Sequence, residues 1–336
     1  MIALIIIIIF LIGFYFLYNR KLIKAKKIKN VESFTDKPNI KKEKNYEPNS
    51  NRLIKYDKSL FKGKIRLKDT VNKIYDKFYA KVYSQLVHQQ MFNKRIKFEV
   101  NNLVKNTNLQ NYKNGVVVDL GCGVGSHLQL LSMKNLDIRL VGVDQSEEML
   151  KLAKINIGKN NLTPVRLLQD DITNKDLFAR SSITHITLYY FTIYYLKDID
   201  NALTCWNYWL KPNGYLIVHL VDPKRFDPVL DASAPFVGHS LQAYSKSRRT
   251  ESTVHFTNFL YRSFFDYNSK NNSAQFEEHF EFDEHPNRRI NTHVLKMFTA
   301  DDFVSKCKKK KMKLHDTVHL IKYGYAYEYL LYFRKE

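Results

Sequence analysis

Three alternating glycines, Gly121, Gly123 and Gly125, follow the β-branched run Val116-Val117-Val118 and the carboxylate Asp119. Glycines let a backbone approach a ligand closely and adopt dihedrals closed to other residues. A helical apolar stretch begins near Ser126. A helix start there adds free N–H groups and the positive end of a dipole. Dinucleotide sites carry G-x-G-x-x-G. Here the third glycine comes one residue early and Ser126 stands where that pattern needs glycine, which favours another ligand. Two further carboxylates close apolar runs: Asp144 after 138–143 and Asp171 after 165–168. A carboxylate in the first of these places can accept both hydroxyls of a ribose. Tyr189, Tyr190 and Tyr194 follow a third run, Ile183–Leu188. Tyr190, Tyr194, His219 and His293 are the candidate catalytic side chains, with His239 a further candidate base.

The elements that must position these residues follow from periodicity. Val71, Ile74, Phe78, Val82 and Leu86 recur at helical spacing, as do Ile96, Val100 and Leu103 within 92–104. Short apolar runs over 116–118, 138–143, 165–168, Ile183–Leu188 and 215–220 alternate with helical patterns over 126–131, 146–156 and 199–210. Lys211-Pro212-Asn213-Gly214 reads as the turn that opens the fifth run. Five such βα units predict a parallel sheet flanked by helices, with ligands outside the carboxyl ends of the strands. The stretch 222–299 alternates instead, through Val254-His255-Phe256-Thr257-Asn258-Phe259, 276–282 and 293–298. Asn271-Asn272 and Pro286-Asn287 supply turns between these runs. The pattern predicts an antiparallel β-lid inserted before a last helix over 300–311.

The net charge is +21, but 17 Lys and Arg against 5 Asp and Glu fall between residues 20 and 68. The excess therefore belongs to a tail and the body is mildly basic, which is weak support for a nucleic-acid partner. Cys122, Cys205 and Cys307 lie far apart with no metal-ligand spacing, so no metal site and no disulfide framework is expected. Residues 2–18 form an unbroken apolar run that ends in Phe14, Tyr15, Phe16 and Tyr18. A helix is the solution available to such a run in hydrocarbon, and interfacial aromatics suit its end. Arg20, Lys21, Lys24, Lys26, Lys27 and Lys29 follow. They place the body on the cytoplasmic side by the positive-inside rule and can hold anionic lipid head groups. The expected organisation is a transmembrane anchor over 1–19, a basic disordered linker over 20–68 and a catalytic body over 69–336.

Residues 116–125, 141–150, 168–172 and 210–218 together resemble the successive motifs of class I, Rossmann-like S-adenosylmethionine-dependent methyltransferases. The likeness covers roughly 75–334. It implies an α/β fold with a seven-stranded, mostly parallel sheet whose last strand is antiparallel, with strands near 314–320 and 325–333. It implies that Gly121, Cys122, Gly123 and Gly125 form the loop facing the methionine part of the cofactor, with Asp119 ordering it and reaching the amino group. Asp144 would hold the ribose, Gln145 and Met149 would flank the adenine, and Asp171 and the Ile172 N–H would read its edge. Tyr189 would stack near the sulfonium, and Tyr75 and Tyr79 resemble the cap that closes over the cofactor. His185 departs from the acidic residue common at the start of strand four. No Asn-Pro-Pro-Tyr-type tetrapeptide follows that strand, which argues against amino-group methylation of bases or glutamine. The inserted lid leans toward a small-molecule acceptor. An acidic acceptor needs no base, whereas a hydroxyl or ammonium must lose a proton. Three readings remain open: a membrane-anchored methyltransferase acting on a small molecule or lipid, a nucleic-acid (RNA) methyltransferase using the basic segments, and a non-catalytic scaffold.

Overall fold

The computed structural model describes residues 64–68, 71–87, 90–158, 162–233, 242, 245, 247–282 and 288–336. The anchor expected over 1–19 and nearly all of the expected linker lie outside them. Among the described residues no helix is long and apolar enough to cross a membrane.

Burial on both faces selects the central strands. β2 (Gly115–Leu120) and β5 (Ile183–Leu188) are buried at every position, as strands covered by helices on both sides must be. With β3 (Ile138–Asp144), β4 (Val165–Gln169), β6 (Leu210–Val221), β11 (Met312–His319) and β12 (Glu328–Lys335) they make a seven-stranded sheet. Its order is β11-β12-β6-β5-β2-β3-β4, and only β12 against its two neighbours is antiparallel. The Lys211-Pro212-Asn213-Gly214 turn persists within β6 as a bulge. The register with β5 jumps from Ile183↔Leu210 to His185↔Tyr215, with Asn213 at φ 63°.

The helices are α1 (Val71–Ile74), α2 (Lys77–Val87), α3 (Gln90–Asn106), α4 (Ser126–Ser132), α5 (Glu147–Ile157), α6 (Ile199–Trp209) and α7 (Ala300–Lys309). Their starts are set by side-chain caps. Ser146 accepts from the Met149 N–H, Asp198 from Asn201, and Thr299 forms a reciprocal box with Asp302. Trp206 and Trp209 of α6 are fully buried in the main core, and their indole N–H groups donate to the Ile172 and Lys175 carbonyls at 2.9 Å. The helix thereby holds the loop that follows β4.

The insertion before α7 is an antiparallel sheet of β7 (Glu251–Phe256), β8 (Phe259–Asn268), β9 (Ser273–Phe282) and β10 (Arg288–Lys296). Two expectations change here. The alternation over 254–259 is not one strand: the chain turns at Thr257-Asn258 between β7 and β8. The linker expected over 20–68 ends early, because Lys64–Lys68 forms β1, paired in parallel with β10 at the edge of the inserted sheet.

Candidate active site

The carboxyl ends of β2, β3, β4 and β5 open on a cavity of about 810 Å³. Parallel register puts widely separated residues at that edge: Asp119 lies opposite Thr187, and Asp144 opposite Gln169. Asp119, Gly121, Cys122, Gly123, Asp144, Gln145, Met149, Asp171, Ile172 and Tyr189 all line it. The loop after β2 turns on Gly121 at φ +71° and Gly123 at φ +53°. The N–H groups of Gly121 and Cys122 donate to the Val143 carbonyl at 2.8 and 3.0 Å. A Cβ at Gly121 would lie 2.4 Å from Thr192 Cγ2, whereas one at Gly123 would meet only Met149 Cε, at 3.6 Å. The Gly123 backbone is thus a cradle that a ligand can approach. The Asp144 Oδ2 accepts from the Gly123 N–H at 2.8 Å and its Oδ1 from the Ser146 N–H at 2.9 Å. Each oxygen keeps a lone pair, which suits a vicinal diol. Asp171 Oδ2 accepts from the Gln145 amide at 2.8 Å, joining the two positions expected at the adenine.

Burial dominates the electrostatics. It pushes Asp119 from 3.8 to about 6, against the lowering effects of His127 and of the 2.8 Å hydrogen bond from Thr187 Oγ1. It raises Asp144 as well, opposed by the backbone N–H groups of Ser146 and Gly123. The Cys122 thiol is pushed up by burial and by Asp144 and Asp119 nearby, so it stays protonated and packs rather than attacks. His127 stacks on Tyr189 with ring centroids 3.7 Å apart and an interplanar angle of 3°. Its Nε2 lies 2.7 Å from Glu99 Oε2. Burial opposes the Glu99 charge, yet Arg95 and His127 hold the carboxyl at about 2.

Residues 118–218 match the methyltransferase domain family. That segment is a methyltransferase domain. The Gly123 cradle, the diol-ready Asp144 and the adenine-edge pair Asp171–Gln145 fit S-adenosylmethionine as the cofactor of such a domain. Comparison with curated proteins returns no match. Among solved structures the fold is similar to an S-adenosylmethionine-dependent methyltransferase from Clostridium acetobutylicum ATCC 824, at 17% identity and TM-score 0.56, over 77% of this chain and 98% of that one. It is similar to the CcbJ methyltransferase of Streptomyces caelestis at 14% identity and TM-score 0.57, over 78% and 97%. A third is the sugar N-methyltransferase KedS8 of Streptoalloteichus sp ATCC 53650, at 16% identity and TM-score 0.51, over 76% and 92%.

Several expected residues of this methyltransferase lie elsewhere. Gly125 does not line the cavity; at φ +74° it caps α4 and packs against Ala153 and Ile157 of α5. Tyr79 is 5% exposed and does not line it either, because its hydroxyl donates to Glu278 Oε1 at 3.0 Å. Tyr75 does line the cavity, and its carbonyl accepts from the Ser146 hydroxyl at 2.6 Å. His219 is buried away from the cavity. Its Nδ1–H donates to the Tyr190 carbonyl at 2.7 Å and its Nε2 lies 3.0 Å from both Arg95 and Glu328. It supports the left-handed backbone of Tyr190, φ 55°, and does not line the cavity where a base would act. Tyr190 lines the cavity beneath Arg95. Tyr194 borders the cavity but is wholly buried, and its hydroxyl accepts from the Val221 N–H at 2.7 Å. His185 is buried between Tyr112 and Tyr215, held neutral at about 3 by burial, remote from the chemistry. His239 lies outside the described residues. His293 lines the cavity from the inserted sheet. Sequence reasoning missed His127, Tyr195 and Glu278. The position of His127 in the first turn after the glycine loop was the one signal that could have found it.

Proposed function

We propose that this methyltransferase passes a methyl group to a small-molecule acceptor enclosed beneath the inserted sheet, by in-line displacement. One observation carries the reading: the same cavity is walled by the cofactor-loop residues on one side and by Thr292, His293, Val294 and Lys296 of β10 on the other. Its volume falls in the range of small-molecule pockets, about 300–1,000 Å³. When bound, S-adenosylmethionine supplies an electrophilic methyl group on a positively charged sulfur. The chain's own contribution is to hold an acceptor at attacking distance and exclude water, and the aromatic wall of Tyr75, Tyr83, Tyr190, Phe191 and Tyr195 suits both tasks. Among the described lining residues Lys197 and Lys296 are the only Lys or Arg, whereas a groove for a nucleic-acid backbone carries many cations. That KedS8 is a sugar N-methyltransferase is compatible with a small polar acceptor.

Calorimetric titration of the full chain with S-adenosylmethionine and S-adenosylhomocysteine tests the reading. Micromolar binding is expected, weakened at least tenfold in Asp144→Ala and less in Asp144→Asn. A folded wild-type chain that binds neither ligand would sink it. The apolar run 2–18 and the lysines after it further support a membrane tether with the body on the cytoplasmic face, which would concentrate the enzyme near lipid-dissolved acceptors. Flotation of the full chain with anionic vesicles, resistant to high salt, is the expected result. Release by salt alone would reduce the tether to a surface charge effect.

A further inference from the structure

We propose that Glu278, His293 and Tyr195 form a proton relay that deprotonates the methyl acceptor, so that the acceptor is a hydroxyl or an ammonium group and not an acid. The proposal rests on the methyl-transfer reading above and names its substrate class.

The relay starts at a carboxylate with no spare capacity. Glu278 of β9 is 1% exposed and meets four donors. Its Oε1 accepts from Tyr79 at 3.0 Å and Tyr261 at 2.9 Å, and its Oε2 from Asn291 at 3.3 Å and His293 at 2.8 Å. An ionised carboxylate accepts and never donates. Burial opposes the charge, but His293, Tyr261 and Tyr79 together hold the carboxyl below its ordinary value. The proton of that last contact therefore belongs to His293 Nε2. With the imidazole neutral, Nδ1 presents a lone pair. Tyr195 Oη lies 2.8 Å from that nitrogen and in this tautomer donates to it. With the Tyr195 proton so placed, the 3.0 Å contact between the Tyr195 and Tyr75 hydroxyls is one in which Tyr75 donates. In this arrangement the chain runs from a buried anion to two half-buried phenols that line the cavity.

The inner end of this chain is what a base requires. The network could satisfy its hydrogen bonds with any polar residue at 293. Instead it holds a buried imidazole, 2% exposed, whose open nitrogen faces the cavity through one hydroxyl and whose other nitrogen is oriented by a fixed anion. As the acceptor's lone pair forms the bond to the methyl carbon, the carbon–sulfur bond breaks and its pair returns to sulfur. A hydroxyl's proton passes to the Tyr195 oxygen as that bond forms, and an ammonium's passes before it, to free the lone pair, while the Tyr195 proton passes to His293 Nδ1. Tyr195 ends neutral and the imidazolium is paired with the Glu278 carboxylate. If Tyr75 touches the acceptor, one further proton hop through its hydroxyl gives the same end state. The proton leaves to solvent with the products.

The titratable groups facing His293 come from several packed elements. β9 gives Glu278 and the turn before α6 gives Tyr195; Tyr75 lies between α1 and α2; Tyr79 comes from α2 and Tyr261 from β8. Beyond Asn291 stands the Arg289–Asp76 pair, with Arg289 Nε donating to Asn291 Oδ1 at 2.8 Å.

The test uses the full chain, His293→Gln and the gentler Tyr195→Phe. Each is titrated with S-adenosylmethionine and then assayed for S-adenosylhomocysteine release with a set of small alcohols, phenols, amines and carboxylic acids. Cofactor affinity within twofold of wild type, turnover confined to hydroxyl and amine probes, and a loss of about 100-fold or more in both variants are expected. Turnover confined to carboxylic acids, or a His293→Gln variant that keeps over a tenth of the wild-type rate, would overturn the relay. The ring nitrogens of His293 are read separately by nitrogen NMR. If no probe is turned over, a ring protonated on Nδ1 overturns the relay, and one protonated on Nε2 whose Nδ1 signal moves in Tyr195→Phe upholds it. Failure of the wild type to bind the cofactor would instead remove the methyl-transfer reading, and the relay with it.

Discussion

Asp119 is ionised only against the preference of the fold. Burial raises its carboxyl from 3.8 to about 6, and Asp144 and Glu99 add to the rise. A carboxyl raised in this way contributes stability that is complete below its unfolded value and is lost as pH rises through about 6. At pH 8 the ionised form therefore costs up to about 3 kcal/mol of folding stability. Asparagine keeps an oxygen for Thr187 to donate to and removes the charge, so Asp119→Asn is expected to stabilise the unliganded protein at pH 8 in urea unfolding. The same substitution should weaken S-adenosylmethionine binding, since the cofactor's amino group is the expected partner of this carboxylate. In the wild type, affinity should fall about tenfold per pH unit below about 6, because protonation removes the anion that the cation needs. Calorimetry between pH 5 and 8 reads both effects. An affinity that is flat through pH 6, or unchanged in Asp119→Asn, would remove Asp119 from the cofactor site.

At the scale of elements, α3 is bound to the sheet by a buried ionic cluster beneath the site. Arg95 donates to Glu99 at 2.7 Å and to Glu328 of β12 at 2.9 Å, and reaches His219 of β6 at 3.0 Å. Removing one member leaves buried charges unpaired, which costs about 3–5 kcal/mol. Arg95→Met is expected to lower stability by that amount in urea, and adding Glu99→Gln and Glu328→Gln should restore most of it. No recovery in the triple variant would mean that the packing of the guanidinium, not its charge, holds α3. The face of α3 was legible because Ile96, Val100 and Leu103 repeat locally. Its partners in the sheet were not, since the Arg95 contacts to His219 and Glu328 span 124 and 233 positions. The same division holds across the fold. Each βα unit is read from a run, a carboxylate and a helical stripe close in sequence, and Ile183–Leu188 is found as expected. The Thr257-Asn258 turn was hidden because no glycine or proline marks it, and its one trace is a slip in the alternation, with Phe256 and Phe259 three positions apart. His219 looked like a base because it ends a strand at the ligand edge, and only the packing shows its ring turned to Arg95 and Glu328.

At the scale of the molecule, the inserted sheet and the cap over the cavity are one device. Arg289 of β10 is 2% exposed, pairs with both oxygens of Asp76 at 2.9 and 2.8 Å, and donates to the Ile74 carbonyl at 2.8 Å. It thereby fixes the segment that carries Tyr75 to the strand that carries His293. β1 lies along the other edge of β10, from Lys64↔Arg288 to Lys68↔Thr292, one residue short of His293. Its sequence alternates Lys64, Arg66 and Lys68 with Ile65 and Leu67, the period of a strand. Composition concealed it, since the same residues belong to the most basic segment of the chain and count toward a linker. The consequence is a boundary that can be measured. A variant starting at Asp69, where composition places the edge of the catalytic body, uncovers the backbone edge of β10, and such edges invite pairing with other chains. One starting at Leu60 keeps β1. The shorter variant is expected to unfold several degrees lower, since about 1 kcal/mol shifts the midpoint of a chain this size by roughly 2–4 °C. It should also self-associate in light scattering and lose acceptor turnover more than cofactor affinity, because the edge exposed is the one beside His293 and not the one beside Asp144. Equal midpoints and equal monodispersity for the two variants would make β1 an ornament of the lid, with β10 held in place by Arg289 alone.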